Sequence, residues 1–237
     1  MTLLFSLLAQ TNMVEPVQAA ALDAQAAGPP LNLWSLSLKG GFIMIPIVLL
    51  SLVTIYIFVE RLLVLRDAAR QDNTFMQRIK DYIHAGDVES ALNLCKKNPT
   101  PVARLIEKGI TRLGRPMNDV LVAIENVGNI EVAKLERRFT WIATTAGGAP
   151  MLGFLGTVTG MVSAFYSMAA AGEAADITTL SSGIYEALVT TVAGLVVGII
   201  ALFAYNYLVS RVNTVVNQLE ASTMEFMDLL NEPANKK

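Results

Sequence analysis

Cysteine and histidine are nearly absent: Cys95 and His84 are the single examples of each in 237 residues. One thiol makes no disulfide framework, and one histidine without a neighbouring ligand makes no zinc or iron site, so His84 reads as a surface or packing residue. Charge is scarce too, at 16% of residues with a formal net charge of -2, which argues against a nucleic-acid binder. No P-loop, dinucleotide glycine motif or paired nucleophile and base occurs, so an enzyme is not expected and no cofactor is implied. What replaces these is apolar: 53% of residues are hydrophobic and the mean hydropathy is +0.48, too high for an ordinary soluble domain.

Three stretches are long enough to cross a hydrocarbon core of about 30 Å, which takes about 20 apolar residues in a helix. They are residues 40–65, with Glu60 and Arg61 at the far end, residues 141–171, with no charged residue, and residues 177–209, preceded by Asp176 as an N-cap. A lipid-exposed backbone must satisfy its own polar groups, so these are helices, and the fold class is an all-α integral membrane protein. Arg61, Arg66, Arg70 and Arg78 follow the first stretch, Lys134, Arg137 and Arg138 precede the second, and Arg211 follows the third. The short connection carries Glu173 and Asp176 but no basic residue, and Lys39 is the lone basic residue before the first span. The positive-inside rule then predicts an external segment 1–39, a cytoplasmic helical domain 66–140, an external loop 172–176 and a cytoplasmic helix and tail 210–237.

The extramembrane parts read as long helical extensions. Phe75, Ile79, Tyr82 and Ile83 form one helical stripe, Gly86-Asp87 marks a turn, and Val88, Ala91, Leu92 and Cys95 form the next. Pro99, Pro101 and Gly114-Arg115-Pro116 break the run before a helix from about Asn118, which is expected to lead directly into the second span. Leu208, Val212, Val215, Leu219, Ser222, Phe226 and Leu229 continue the third span as a seam that requires a partner. At the N-terminus, residues 3–9 are apolar and Val17-Gln18-Ala19 has the small-residue look of a cleavage site, but no Lys or Arg precedes the run. A removed leader and a retained external segment anchored by Trp34 both fit.

The outstanding residue is Glu186, a carboxylate inside the third apolar stretch. A central acidic residue costs roughly 2.5 to 3.5 kcal/mol on insertion, so one that is present is a functional-site hypothesis. Counted from Ile177 it lies about 13 Å along the helix, and from Leu180 about 9 Å; the first places it near mid-membrane, the second nearer a helix end where a capping role also fits. Ser182, Thr190 and Thr191 surround it on the same span, and Thr157 and Thr159 stand on the second. Hydroxyls suit a group that gains and loses a proton, because rotation lets them donate or accept. Gly153, Gly156 and Gly160 on the second span and Gly194 and Gly198 on the third have the small-residue spacing of closely packed membrane helices.

Two longer motifs carry a resemblance. Ala149-Pro150-Met151-Leu152-Gly153-Phe154-Leu155-Gly156-Thr157-Val158-Thr159-Gly160-Met161 and Gly183-Ile184-Tyr185-Glu186-Ala187-Leu188-Val189-Thr190-Thr191-Val192-Ala193-Gly194-Leu195 resemble the second-span and third-span signatures of the MotA/TolQ/ExbB proton-channel family. Gly40-Gly41-Phe42-Ile43-Met44-Ile45-Pro46 with Val59-Glu60-Arg61-Leu62 is similar to its first span. Three spans fit the ExbB and TolQ branches better than the four-span MotA branch, and the long stretch before Gly40 favours ExbB. The resemblance implies a homopentamer in the inner membrane of a Gram-negative bacterium, with the second and third spans lining a lumen that holds an ExbD- or TolR-like single-span partner. It implies protons as the coupling ion, with Glu186 matching the essential carboxylate and Thr157 and Thr191 the threonines of the proton pathway. It further implies a TonB-type partner that carries the energy to the outer membrane. Tyr185 departs from the small residue often found before that glutamate. A TolQ-like role in envelope maintenance and a membrane scaffold that conducts no protons are the alternatives. A solute transporter would need inverted repeats, which three unequal spans do not make.

Overall fold

A computed structural model of the chain describes residues 41–70, 74–172 and 177–231, and every element among them is helical. Residues 1–39, expected to be external, together with Asp176 and the tail beyond Asn231, lie outside the described residues. Among the described residues three helices are long and apolar enough to cross a membrane: α1 (Met44–Ala68), α6 (Phe139–Ala171) and α7 (Ile177–Asn231). Between the first two lie α2 (Phe75–His84), α3 (Val88–Lys97), α4 (Pro101–Ile110) and α5 (Met117–Glu136). The fold is an all-α membrane protein organised on α7, a 55-residue helix about 82 Å long. That length exceeds twice a hydrocarbon core, so its second half stands outside the apolar slab and serves as the spine of the α2 to α5 bundle.

The bundle explains the seam. All seven residues of the 208–229 seam are buried, and the six apolar ones share one core with Ile106, Ile110, Val120 and Ile124. The partner that the pattern demands is therefore the chain's own α4 and α5. Gly109 allows the closest approach: a methyl there would stand 2.5 Å from Phe226 Cε1 and 2.9 Å from Ile124 Cδ1.

Short caps set the bundle's turns. Gly86 adopts φ +74°, a conformation that favours glycine, and Asp87 then accepts a hydrogen bond from Ser90 N at 3.0 Å to start α3. Ser90 also holds the Asp87 carboxyl below its ordinary value. Thr100 Oγ1 accepts from Ala103 N at 3.4 Å, and Pro101 follows in the first turn of α4. The expected break is there, since residues 98–100 are outside any helix, and Pro101 also starts the next one: a proline in the first turn removes an N–H that has no partner there anyway.

A correction concerns the entry to the second span. The helix from Met117 does not run directly into it. Arg137 is extended at ψ 132° and Arg138 is left-handed at φ 75°, and α6 begins only at Phe139. Three polar contacts from the end of α1 hold this break. Arg138 Nη1 donates to Glu60 Oε2, Arg61 Nη1 donates to the Lys134 carbonyl at 3.2 Å, and Arg61 Nη2 pairs with Glu60 Oε1 at 3.1 Å. A helix that stops leaves carbonyls without partners, and Arg61 takes one of them. The Glu60-Arg61 pair, at the sequence level only a charged end to the first span, is thus a tie between the first and second membrane helices.

Candidate functional site

Helices α6 and α7 lie together along their apolar lengths, and small residues let their backbones meet. A methyl on Gly194 would be 2.5 Å from the Ala149 carbonyl oxygen and 2.9 Å from Gly153 Cα; one on Gly153 would be 2.9 Å from the Thr190 carbonyl oxygen. Pro150 lies inside α6 and lacks the N–H that would bind the Ala146 carbonyl. Gly198 accommodates both groups, since a methyl there would come 2.5 Å from Pro150 Cγ and 3.1 Å from the Ala146 oxygen. Further along, Gly160 faces Ala187 and Gly183 faces Ala164, with added methyls at 2.8 Å and 2.6 Å from the opposing Cβ atoms. All five glycines singled out for packing lie at this crossing. Gly183, read only as part of a longer motif, joins them.

Glu186 stands at the edge of this contact and is exposed on the single chain. It helps to line a cleft of about 320 Å³ with Gly156, Thr159, Gly160, Ala187 and Thr190, closed at one end by the turn Gly41, Phe42 and Ile43 that leads into α1. Helix α7 begins at Ile177, so the carboxylate is about 13 Å along it and well past the first turn, where the helix dipole is felt.

The hydroxyls divide into two groups. Thr159 and Thr190, expected as accessory lining, share the cleft with Glu186. Thr157 and Thr191 lie instead in the seam between the helices: Thr157 is buried with its hydroxyl donating to the Phe154 carbonyl at 2.7 Å, and Thr191 donates across to Gly153 O of α6 at 2.9 Å. Ser182 is exposed one turn before Glu186 and does not line the cleft.

Their bonding changes the expected chemistry. Thr159 donates to Leu155 O at 2.9 Å and Thr190 to Ala187 O at 2.6 Å, so all four threonine protons point to backbone carbonyls. Free rotation between donor and acceptor roles is not what the packed helices hold. What each hydroxyl leaves available is an oxygen lone pair, the correct partner for a protonated carboxyl group and the wrong one for an ionised carboxylate. Sequence reasoning missed Gly41 as part of this site, because an approach between residues so far apart in the chain has no periodic signal.

The comparisons with known proteins agree with this architecture. The profile of the MotA/TolQ/ExbB proton channel family matches residues 97–221, from the end of α3 through most of α7. The chain belongs to that family. It is 33% identical over 183 residues to an ExbB-like biopolymer transport protein of Synechocystis, covering 73% of this chain and 69% of the relative. It is 30% identical over 176 residues to an ExbB homologue of Methanothermobacter thermautotrophicus, covering 73% of this chain and 62% of that protein's length. The Tol-Pal system protein TolQ of Haemophilus influenzae is 27% identical over 219 residues, covering 86% of this chain and 96% of the relative. The chain is therefore an ExbB-like, multi-pass member of the family, with relatives of both the ExbB and TolQ names.

Proposed function

We propose that this chain is the proton-carrying subunit of an inner-membrane complex that couples the proton gradient to work at the outer membrane. One observation carries the reading: a carboxylate inside the apolar part of α7 and past its first turn, in a cleft whose hydroxyls present acceptor lone pairs. Such a cleft supports the neutral acid, and an aqueous path or a partner group on the exposed side would support the charged form. Alternation between the two changes the force between the α6 and α7 pair and whatever lies against it, which is transduction without a covalent step.

The family supports assembly as a homopentamer around single-span ExbD- or TolR-like helices, with a TonB-type protein receiving the energy and protons as the coupling ion. The extensively apolar outer faces of α1, α6 and α7 support burial against lipid and neighbouring copies. A TolQ-type role in envelope maintenance is the second reading, favoured by the long match to TolQ. The positive-inside pattern supports an external N-terminus and a bundle in the cytoplasm.

The test is Glu186→Gln, which preserves shape but cannot ionise. Gradient-dependent uptake should disappear, by about a hundredfold or more as expected for loss of a proton-transfer group, while the complex still assembles. Glu186→Asp should retain part of the activity. Thr157→Val and Thr191→Val should reduce it less, because both hydroxyls lie in the seam between the helices and not in the cleft with Glu186. Full activity in Glu186→Gln would leave the scaffold alternative standing, and co-purification of an ExbD-like or a TolR-like protein separates the two branches.

A further inference from the structure

Gly41 meets the carboxylate directly. It precedes α1 with φ +65°, and a methyl built on it would overlap Glu186 Oε1 and lie 3.5 Å from Cδ. The turn is anchored to the helix it starts, through Met44 N to Gly41 O at 3.2 Å and Ile45 N to Phe42 O at 3.2 Å. Pro46 sits in the first helical turn, where its missing N–H costs nothing. The floor beneath is equally shallow: a methyl on Gly156 would overlap the Thr190 hydroxyl, and Gly160 abuts Ala187. The carboxylate, which belongs to α7, thus meets the glycine that precedes α1 in a cleft that Gly156 and Gly160 of α6 also line.

We propose that Gly41 is a positioning residue for Glu186: the missing side chain lets the first turn of α1 close the cleft and seat the carboxyl group against α6. The proton-carrying group would then be oriented by the first membrane helix of its own subunit, and any displacement of α1 would move it. This inference rests on the proton reading of Glu186 for its significance, but its geometry is measurable without that reading.

The experiment compares Gly41→Ala, Glu186→Asp and the double variant in membranes, with the unaltered chain as reference. The readout is the rate at which a hydrophobic carbodiimide adds to the residue-186 carboxyl group, leaving an N-acylurea that peptide mass spectrometry detects. With Glu186 in place, Gly41→Ala should push the carboxyl out of the cleft and raise labelling about threefold or more, within the range expected for groups in contact. In the Glu186→Asp background, where the side chain is one methylene shorter, the same substitution should change labelling by less than about half as much. Gradient-dependent uptake should follow: Gly41→Ala loses most activity, and the double variant performs as well as Glu186→Asp alone.

An equal effect in both backgrounds, or an unchanged or lowered rate in Gly41→Ala, would overturn the proposal. Loss of assembly in Gly41→Ala that the shorter carboxylate rescues supports it. Loss of assembly in both means that the left-handed backbone alone demands glycine, and the proposal fails. Full activity in Glu186→Gln would sink the proton reading while leaving the labelling comparison intact, so the two failures are distinguishable.

Discussion

Cys95 shows how far a side chain's surroundings outweigh its type. It is buried in the α2 to α5 bundle, and burial, with the Glu107 charge adding to it, pushes the thiol up to about 12. The neutral thiol is thus the form present at physiological pH, and the residue behaves as a small hydrophobe. Because the folded value lies above the unfolded one, its contribution is complete below about pH 9 and fades as pH rises toward 12. Chemical denaturation of the wild type and Cys95→Ala should show the stability gap between them narrowing across that alkaline interval; a constant gap would mean that the thiol does not titrate with unfolding. Glu186 is the opposite case, an ionisable group left exposed on the single chain where an apolar surface surrounds it. Its type is visible in any reading of the chain, whereas its contact with Gly41 is not.

Among the elements, the α6 and α7 pair is the most constrained, because its closest contacts are between backbones that cannot rotate out of the way. Gly194→Ala sets a methyl against Ala149 O and Gly153 Cα, and should destabilise the assembled protein by about 1 to 3 kcal/mol, the usual cost of overpacking. Gly147→Ala on the same α6 meets no atom within 4 Å, and should be neutral or stabilising by up to about 1 kcal/mol through helix propensity. Thermal aggregation of the two variants side by side checks the difference, and equal behaviour would mean that the crossing has room for added bulk. Gly156→Leu should go further and lower the oligomer fraction in native mass spectrometry, since the bulk cannot be housed beside Thr190. In the bundle, Phe226→Ala removes a fully buried ring and should cost about 3 to 5 kcal/mol, read as a lower denaturation midpoint.

For the whole molecule, the long α7 joins the two environments without a break: the segment carrying Glu186 and the segment packed in the bundle are the same helix. The Glu60, Arg61 and Arg138 tie fastens α1 and α6 to each other where the bundle meets the spans. Orientation is testable with two single-cysteine proteins built on Cys95→Ala. Ala171→Cys, exposed at the end of α6, should react with an impermeant thiol reagent in intact spheroplasts, and Ala85→Cys, exposed at the end of α2, should react only after lysis. The reverse pattern would invert the proposed topology.

The number of spans, the amphipathic seam of α7 and the position of Glu186 inside an apolar run were all legible in the sequence, because each is a local property. A run of apolar residues must be a helix in lipid, a stripe at helical spacing must be covered, and a charge in such a run needs a reason. The signature motifs around Pro150 and Glu186 were legible on the same footing, as contiguous strings. Tertiary structure decided what depends on residues distant in the chain. It showed that α4 and α5 cover the seam, that Arg138 breaks the helix entering the second span, and that Thr159 and Thr190 share the cleft with Glu186 while Thr191 bonds across to α6 and Thr157 is buried with its hydroxyl on its own helix. The physical reason is the same each time: periodicity states which face of a helix must be buried, but only the packed partner determines which atoms meet across it.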